Sequence, residues 1–299
     1  MKPVRILVLI LCACFVSVAW SEQPPCKPPS PWGEFHRQNM QRWNPCERVL
    51  GVNNVGNLVV KWSYATGGNV AFSSAAVASG VVYIGSLDRN VYALNASTGA
   101  KLWRHKIGST ISSPAVANGV VYVGSQHNSV YANVYALDAK TGAELWSYAT
   151  GDSVSSSPAV ANGVVYVGSD DGNVYALDAK TGAKLWSYTT GDIVISSPAV
   201  ANGVVYVGSE DFKVYALNAK SGAKLWSYTT GGNVFPSPAV ANGVVYVGSS
   251  DGLLYALNAK TGAKLWSSAP GYFEGSPAVA NGVLYIGSQD DKVYAFGLK

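Results

Sequence analysis

The sequence predicts an all-β fold, a β-propeller of four-stranded antiparallel blades, and three observations support this prediction. A tryptophan recurs at intervals of 41, 43, 40, 40 and 40 residues from Trp62 onward. A VVYVGS-type strand occurs six times, and a VYAL-type strand also occurs six times. A repeat of about 40 residues that holds four short strands is typical of a propeller blade. We therefore expect six blades, with seven or eight as the alternative.

One repeat, residues 157–188, shows how each strand and turn is predicted. Asn162-Gly163 is a preferred two-residue hairpin turn, because both positions must take positive φ. Two further turn signals, at residues 170–172 and 180–182, separate the remaining strands. The four predicted strands are residues 158–161, 164–169, 173–178 and 183–188.

The first tryptophan strand, around Trp62, precedes every other strand of the repeat, while the last repeat has no tryptophan strand. We therefore predict that the Trp62 strand pairs beside residues 293–296, closes the ring and covers two exposed edges. The propeller would then span residues 57–299. The alternative is a further blade formed by residues 24–61.

The N-terminal region predicts export. Residues 1–21 combine Lys2 and Arg5 with a short apolar run and a small-x-small cleavage site, which is typical of a signal peptide. An uncleaved anchor and a lipobox that lipidates Cys14 are the alternatives. The mature protein would be periplasmic or extracellular, or an outer-membrane lipoprotein in the lipobox alternative.

Residues 22–56 are interpreted as an N-terminal extension. They contain Cys26 and Cys46, the two cysteines that remain after cleavage. In an oxidising compartment these two residues are expected to form a disulfide, with two independent thiols as the alternative.

Composition excludes several classes of protein. Of the 299 residues, 48% are hydrophobic and only 13% are charged, which excludes a disordered chain. The net charge is +4 and the lysines are spread evenly, so nucleic acid is not expected as a partner. His36, His105 and His127 lack metal-ligand spacing, and no zinc site is expected.

The string ALDAKTGAKLW at residues 176–186 resembles the tryptophan-docking motif of the propeller repeat of the pyrroloquinoline quinone (PQQ) type. Four further copies of the pattern stand at residues 93–103, 136–146, 216–226 and 256–266. The resemblance implies that the tryptophans dock neighbouring blades and do not form a binding site. The residues concerned are Trp62, Trp103, Trp146, Trp186, Trp226 and Trp266.

Members of this repeat family include PQQ-dependent alcohol dehydrogenases, which add an adjacent cysteine pair and calcium ligands. The present sequence has no Cys-Cys step. The family also includes a non-catalytic scaffold lipoprotein of the outer-membrane protein assembly machinery. We therefore expect a non-catalytic binding or scaffold protein without a cofactor, monomeric, with peripheral membrane association as an option. The alternatives are a quinoprotein-like oxidoreductase that binds PQQ with calcium, and a component of outer-membrane protein assembly.

Positions that differ between otherwise similar blades are candidates for binding a protein partner or a small ligand. The clearest lies three residues before the proline of each first strand and is expected at the mouth of the central channel. Tyr272 and Phe273 add aromatic surface beside the last of these positions, and drift or apolar plugging of the channel is the alternative. The series is Phe72, Ile111, Ser155, Ile195, Phe235 and Glu274.

Two further features of this region have two interpretations each. Asp152 and Asp192 occupy equivalent loops and, with Glu274, could hold a cation, although each aspartate could equally cap its own turn.

The second blade is longer between residues 124 and 134, and either presents His127 and Tyr131 to a partner or reflects slippage of the repeat. No phosphate-binding loop or nucleophile elbow occurs in the sequence.

Overall fold

A computed structural model describes residues 55–70, 73–108, 112–126, 133–268, 271–280 and 282–298. The predicted signal peptide, the predicted Cys26–Cys46 disulfide and the alternative lipobox concern residues outside the described part of the chain. Four side chains assigned above to candidate sites, Phe72, Ile111, His127 and Tyr131, also lie outside it.

The structure is all-β, as predicted, with six antiparallel sheets that form successive blades. A short 3-10 turn spans Val55–Asn57 before the first strand. The first three sheets contain β1 (Ala76–Ala78), β2 (Val81–Ser86), β3 (Asn90–Asn95), β4 (Lys101–Lys106), β5 (Ala115–Ala117), β6 (Val120–Gly124), β7 (Asn133–Asp138), β8 (Glu144–Ala149), β9 (Ala159–Ala161), β10 (Val164–Gly168), β11 (Asn173–Asp178) and β12 (Lys184–Thr189). The last three contain β13 (Ala199–Ala201), β14 (Val204–Gly208), β15 (Lys213–Asn218), β16 (Lys224–Thr229), β17 (Ala239–Ala241), β18 (Val244–Gly248), β19 (Leu254–Asn258), β20 (Lys264–Ser267), β21 (Ala278–Ala280), β22 (Val283–Gly287) and β23 (Val293–Phe296).

Each sheet follows the chain order, so its turns alternate between two faces of the propeller. We call the face that holds the first and third turns of each blade the lower face; Asn162-Gly163 and residues 178–183 lie there. The upper face holds the second turn, such as residues 170–172, and the loop that leads to the next blade, such as residues 150–157. In the Asn-Gly turn both residues have positive φ, 51° and 78°, as this hairpin requires.

The hydrophobic core lies between consecutive blades. One cluster joins Trp186 and Val174 of the third blade to Val205, Tyr215 and Leu217 of the fourth. Clusters of equivalent residues join the first blade to the second, the second to the third, and the fourth to the fifth. Because each blade buries its apolar side chains against a neighbour, the blades stabilise one another in series.

The tryptophans of the outer strands connect each blade to the next. Trp186 Nε1 donates a hydrogen bond to the Ala219 carbonyl oxygen over 3.0 Å. The indole lies against Gly222, where an added Cβ would stand 2.7 Å from the ring. This position therefore requires glycine, both for space and for its φ of 71°. The same hydrogen bond is made by Trp62, Trp103, Trp146 and Trp226.

Closure of the ring by the Trp62 strand is not observed. Trp62 contacts the first blade as the preceding blade's tryptophan would, through Ala96 and Gly99. Residues 58–66 have no strand assignment, and the sixth sheet consists of β21, β22 and β23 alone among the described residues. The side chain of Val293 is 79% exposed, so the segment docks on the first blade without covering the edge of β23.

A belt of serines joins the innermost strands of consecutive blades. The backbone N–H of Ser157 donates to Ser197 Oγ over 2.9 Å, and Ser197 N–H donates to Ser237 Oγ over 3.0 Å. Equivalent bonds link Ser74 to Ser113, Ser113 to Ser157, and Ser237 to Ser276. Each of these hydroxyls accepts from a backbone group that would otherwise lack a partner near the centre of the propeller.

Candidate functional site

The candidate site lies on the upper face, where the interblade loops meet the innermost strands. Of the variable series, Ser155, Ile195 and Phe235 are half-buried, whereas Glu274 is exposed. Tyr272 is 62% exposed and adopts a φ of 49°. The described members of the series thus occupy equivalent loops on one face, with both apolar and polar side chains.

Ser155 is the centre of a hydrogen-bonded chain that crosses two blades. Its hydroxyl accepts a hydrogen bond from Gln126 Nε2 over 3.0 Å. It donates to Asp170 Oδ2, also over 3.0 Å. Gln126 follows strand β6 of the second blade and Asp170 follows strand β10 of the third. The chain therefore fixes the orientation of an amide, a hydroxyl and a carboxylate at a blade boundary.

Asp170 is a carboxyl group of this face whose pKa lies well above its ordinary value. Its pKa is raised to about 6, mainly by burial and also by the nearby charges of Asp152, Glu210 and Asp171, while the hydrogen bond from Ser155 acts in the opposite direction. Its second oxygen, Oδ1, is buried and has no hydrogen-bond partner among the described residues. Such a group changes charge near neutral pH and can exchange a proton or accept a hydrogen bond.

Two further polar pairs occupy the same zone. Asn233 Nδ2 donates to Glu210 Oε2 over 3.2 Å, and the pKa of Glu210 is raised by burial and by the charge of Asp192. In the last blade Gln289 Nε2 donates to Glu274 Oε2. Each pair joins the residue that follows a second strand to a residue of an interblade loop.

The structure therefore adds a second variable series that the sequence analysis missed. It is the residue that directly follows each VVYVGS-type strand, and three of its side chains, those of Gln126, Asp170 and Gln289, hydrogen-bond to loop residues of the predicted series. The signal was visible in the sequence, because this position varies between blades as much as the first series does. The series is Leu87, Gln126, Asp170, Glu210, Ser250 and Gln289.

Asp152 and Asp192, the weak cation candidates, each bond the backbone N–H of the following residue. The distances are 2.6 Å from Ser153 N to Asp152 Oδ1 and 2.8 Å from Ile193 N to Asp192 Oδ1. Among the described residues, no group of three or more His, Cys, Asp or Glu side chains is arranged to hold a metal ion. The hydrogen bonds agree with the turn interpretation.

The aspartates that recur at the second turn of the blades, one residue after the position of Asp170, make structural hydrogen bonds. Asp171 Oδ2 accepts hydrogen bonds from the Tyr175 hydroxyl over 2.6 Å and from Gly151 N over 2.7 Å. Although burial raises the pKa of Asp171, these hydrogen bonds and those from Asn173 lower it below its ordinary value. Asp171 thus ties the second turn of its blade to the preceding loop, and Asp88, Asp211 and Asp251 repeat the arrangement.

Phe273 does not contribute to the aromatic surface beside Glu274 that the sequence predicted. Phe273, beside Tyr272 and Glu274, is buried and packs against Tyr294 with ring centres 5.2 Å apart, so it contributes to the core and not to the rim.

A cavity of about 970 Å³ lies near the lower face between the fifth and sixth sheets, away from the candidate site. The residues that line it include Tyr246, Trp266, Val283, Phe296 and Leu298.

Together, the blades, the docking tryptophans and the variable upper face define a β-propeller of PQQ-like repeats. The model of the family described as outer membrane protein assembly factor BamB matches residues 47–133, 131–236 and 230–299. This chain belongs to that family.

Solved structures show the same fold. The crystal structure of BamB from Moraxella catarrhalis is 25% identical, with a TM-score of 0.64, and the match covers 73% of this chain and 70% of that one. The quinohemoprotein alcohol dehydrogenase from Comamonas testosteroni is 18% identical, with a TM-score of 0.70 and coverage of 86% and 57%. The second likeness shows the fold alone.

A curated relative matches over a shorter stretch. The quinoprotein alcohol dehydrogenase PedE of Pseudomonas putida is 40% identical over 70 residues, which are 22% of this chain and 11% of the relative. The alignment therefore spans about a tenth of that enzyme. In the described part of the chain, no helix is both long and apolar enough to cross a membrane.

Proposed function

We propose that the protein is an exported, non-catalytic propeller that binds a protein partner or a small ligand at its upper face. The main support is the hydrogen-bonded chain Gln126–Ser155–Asp170. Blade positions elsewhere repeat almost unchanged, whereas this zone varies between blades, carries polar side chains on five of the six, and fixes several of them by hydrogen bonds to the interblade loops. Oriented polar groups beside half-buried apolar side chains are what a binding surface requires.

The chemistry of the zone indicates the kind of group that would be bound. Asp152, Asp170, Asp192 and Glu210 bring carboxylates close enough together that their charges raise the pKa values of Asp170 and Glu210. A cationic or hydrogen-bond-donating group would relieve this repulsion, and Ile195 and Phe235 offer apolar contact beside it. The best-fitting partner is therefore a protein segment or ligand that carries basic or amide groups.

Family membership supports one particular setting for this binding, because the family is described as an outer-membrane protein assembly factor and a BamB structure is among the matches. Under this alternative the upper face binds a component of an assembly complex in the cell envelope.

The experiment is a pull-down from envelope extract, followed by affinity measurement with the captured protein or ligand. The variant Phe235→Ser with Glu274→Gln removes an apolar side chain and a carboxylate from the upper face. The matched control, Leu225→Ser with Glu144→Gln, likewise removes one apolar side chain and one carboxylate, at exposed positions of the lower face. We expect the first variant to lose at least about tenfold in affinity, roughly 1.4 kcal/mol, and the control to keep it. Equal affinity of the folded upper-face variant and the wild type would overturn the proposal.

An oxidoreductase that binds PQQ with calcium is the second candidate, supported by the similarity to PedE. Among the described residues, no three or more His, Cys, Asp or Glu side chains are grouped so that they could hold a metal ion. The test is dye-linked alcohol oxidation by purified protein supplied with PQQ and calcium. Turnover well above background would replace the binding function with catalysis.

A further inference from the structure

The two faces of the propeller carry opposite charge. On the upper face, acidic side chains dominate: Asp88, Asp152, Asp170, Asp171, Asp192, Glu210, Asp211, Asp251, Glu274, Asp290 and Asp291, against Arg89, Lys106, Lys213 and Lys292. On the lower face, lysines dominate: Lys101, Lys140, Lys180, Lys184, Lys220, Lys224, Lys260 and Lys264, all of them exposed. The acidic side chains described in the lower-face turns and the adjoining strand ends are Asp138, Glu144 and Asp178.

Two of these lower-face carboxylates accept hydrogen bonds from residues of their own turns. Asp138 Oδ1 accepts hydrogen bonds from the hydroxyl and the N–H of Thr141, each over 2.8 Å. Asp178 makes the same contacts with Thr181, over 2.9 and 2.8 Å. These hydrogen bonds lower the pKa values of both carboxyls, but neither carboxyl forms a salt bridge with a lower-face lysine among the described residues. The lysines are therefore available to an external anion.

An exposed leucine follows the first residue of the outer strands β4, β8, β12, β16 and β20. That first residue is a lysine in all of these strands except β8, where it is Glu144. Leu185 follows Lys184 and is 52% exposed, because the register of β11 and β12 shifts there: Ala176 pairs with Trp186 and Leu177 with Lys184. Leu185 thus occupies a β-bulge and is left out of the pairing. The same bulge leaves Leu102, Leu145, Leu225 and Leu265 between 50% and 55% exposed.

Equivalent positions of a propeller lie at one height along its axis, because successive blades repeat the same strand register. Lys184, Lys224 and Lys264 all pair with the leucine that ends the bulge of their sheet, Leu177, Leu217 or Leu257. The bulged leucines of the first five blades and the lysines beside them therefore lie in one plane, with Glu144 in place of the lysine in the second blade. A planar array fits an extended flat surface better than a shaped protein pocket.

We propose that the lower face docks on a lipid bilayer that carries anionic headgroups. The lysines match the negative surface potential, and the leucines can enter the boundary between headgroups and acyl chains, a combination typical of interfacial binding. The acidic upper face would be repelled by the same surface and so point away from it, which sets the orientation of the bound protein. A second copy stacked head to tail would use the same charges but gives no role to the exposed leucines.

The test is co-sedimentation of the full chain with vesicles of phosphatidylethanolamine and phosphatidylglycerol, compared with vesicles of phosphatidylcholine alone. We expect binding to the anionic vesicles that weakens as salt is added. Lys184→Gln with Lys224→Gln and Lys264→Gln should weaken this binding roughly tenfold or more. Leu185→Ser with Leu225→Ser and Leu265→Ser should weaken it severalfold.

The matched control, Lys106→Gln with Lys213→Gln and Lys292→Gln, removes the same charge from the upper face and should stay within about twofold of the wild type. Circular dichroism identifies variants that fail to fold, and single lysine substitutions replace any that do. Equal loss of binding in the upper-face and lower-face variants would overturn the proposal, as would binding to both vesicle types alike. Concentration-dependent self-association without vesicles, abolished by the lower-face variant, would assign the face to a second copy instead. This outcome is independent of partner binding at the upper face.

Discussion

The Ser155 hydroxyl stands between two side chains from different blades, and its bond to Asp170 Oδ2 is 3.0 Å long. Gln126 donates to the same hydroxyl over 3.0 Å, so the proton of Ser155 is directed toward Asp170. This hydrogen bond favours the ionised carboxylate and opposes the burial that raises the pKa of Asp170 to about 6.

The stability of the protein should depend on Asp170 between pH 4 and pH 7. The folded-state pKa of about 6 lies above the ordinary value of 3.8, so the native state binds the proton more tightly. The stabilisation from this group is complete below about pH 4 and is lost as pH rises through about 6. We expect Asp170→Asn to be more stable than the wild type at pH 7, with a smaller fall in the free energy of unfolding between pH 4 and pH 7. Urea titrations at several pH values measure both, and identical pH profiles would contradict the assignment.

Removal of a docking indole should cost much more in the middle of the propeller than at its end. Trp186 is 8% exposed, and Trp186→Ala should lower the free energy of unfolding by about 3 to 5 kcal/mol. Trp266 is 41% exposed, and Trp266→Ala should cost about 1 to 2 kcal/mol. Denaturant unfolding followed by circular dichroism compares the two variants, and equal losses would show that Trp266 is covered in solution.

Two glycines with similar backbone angles should respond differently to alanine. Gly163 has a φ of 78° and open space around an added Cβ, so Gly163→Ala should cost about 1 to 2 kcal/mol from the backbone alone. Gly182 has a φ of 73°, and its added Cβ would stand 2.7 Å from the Trp146 ring. Gly182→Ala should therefore cost roughly a further 1 to 3 kcal/mol. Thermal and denaturant unfolding measure the difference, and similar costs would mean that the ring moves aside.

The exposed edge of β23 should tolerate a charge that the equivalent buried position cannot. Val293 is 79% exposed and Val174, at the same place in its blade, is fully buried. Val293→Lys should fold normally and aggregate less, because a charge on an edge strand opposes pairing with other chains. Val174→Lys should fail to fold. Light scattering and melting curves test both, and a large loss of stability in Val293→Lys would indicate that another segment covers this edge in solution.

The blade pattern could be predicted because the turn residues and the apolar alternation that define the four strands of a blade all lie within one repeat. Asn162-Gly163 specifies a hairpin locally, and the spacing of Trp146, Trp186 and Trp226 specifies the repeat. Asp170 and Glu210 were missed because they stand beside the recurring turn aspartates and resemble them. Asp170 hydrogen-bonds to Ser155 and Glu210 to Asn233, and these partners lie 15 and 23 residues away in the chain. A pattern of neighbouring residues does not predict such contacts.

Ring closure depends in the same way on geometry beyond the repeat. The Trp62 segment carries the outer-strand sequence, and its contacts to Ala96 and Gly99 follow from that sequence. Whether it also reaches β23 is decided by how six blades add up around the axis, which a pattern within one blade does not determine. The rim residues Ile195 and Phe235 remain predicted binding residues.

The serine belt has a consequence for how the gene can change. Ser157 donates to Ser197 through the same hydrogen bond that Ser197 makes to Ser237. The contacts between the third and fourth blades are therefore interchangeable with those between the fourth and fifth. Unequal recombination between such similar repeats would remove or add a whole blade, and each remaining interface would find the partner groups it needs. We therefore expect the number of blades to be an evolvable quantity in this lineage, limited by the geometry of the ring more than by the fit between adjacent units.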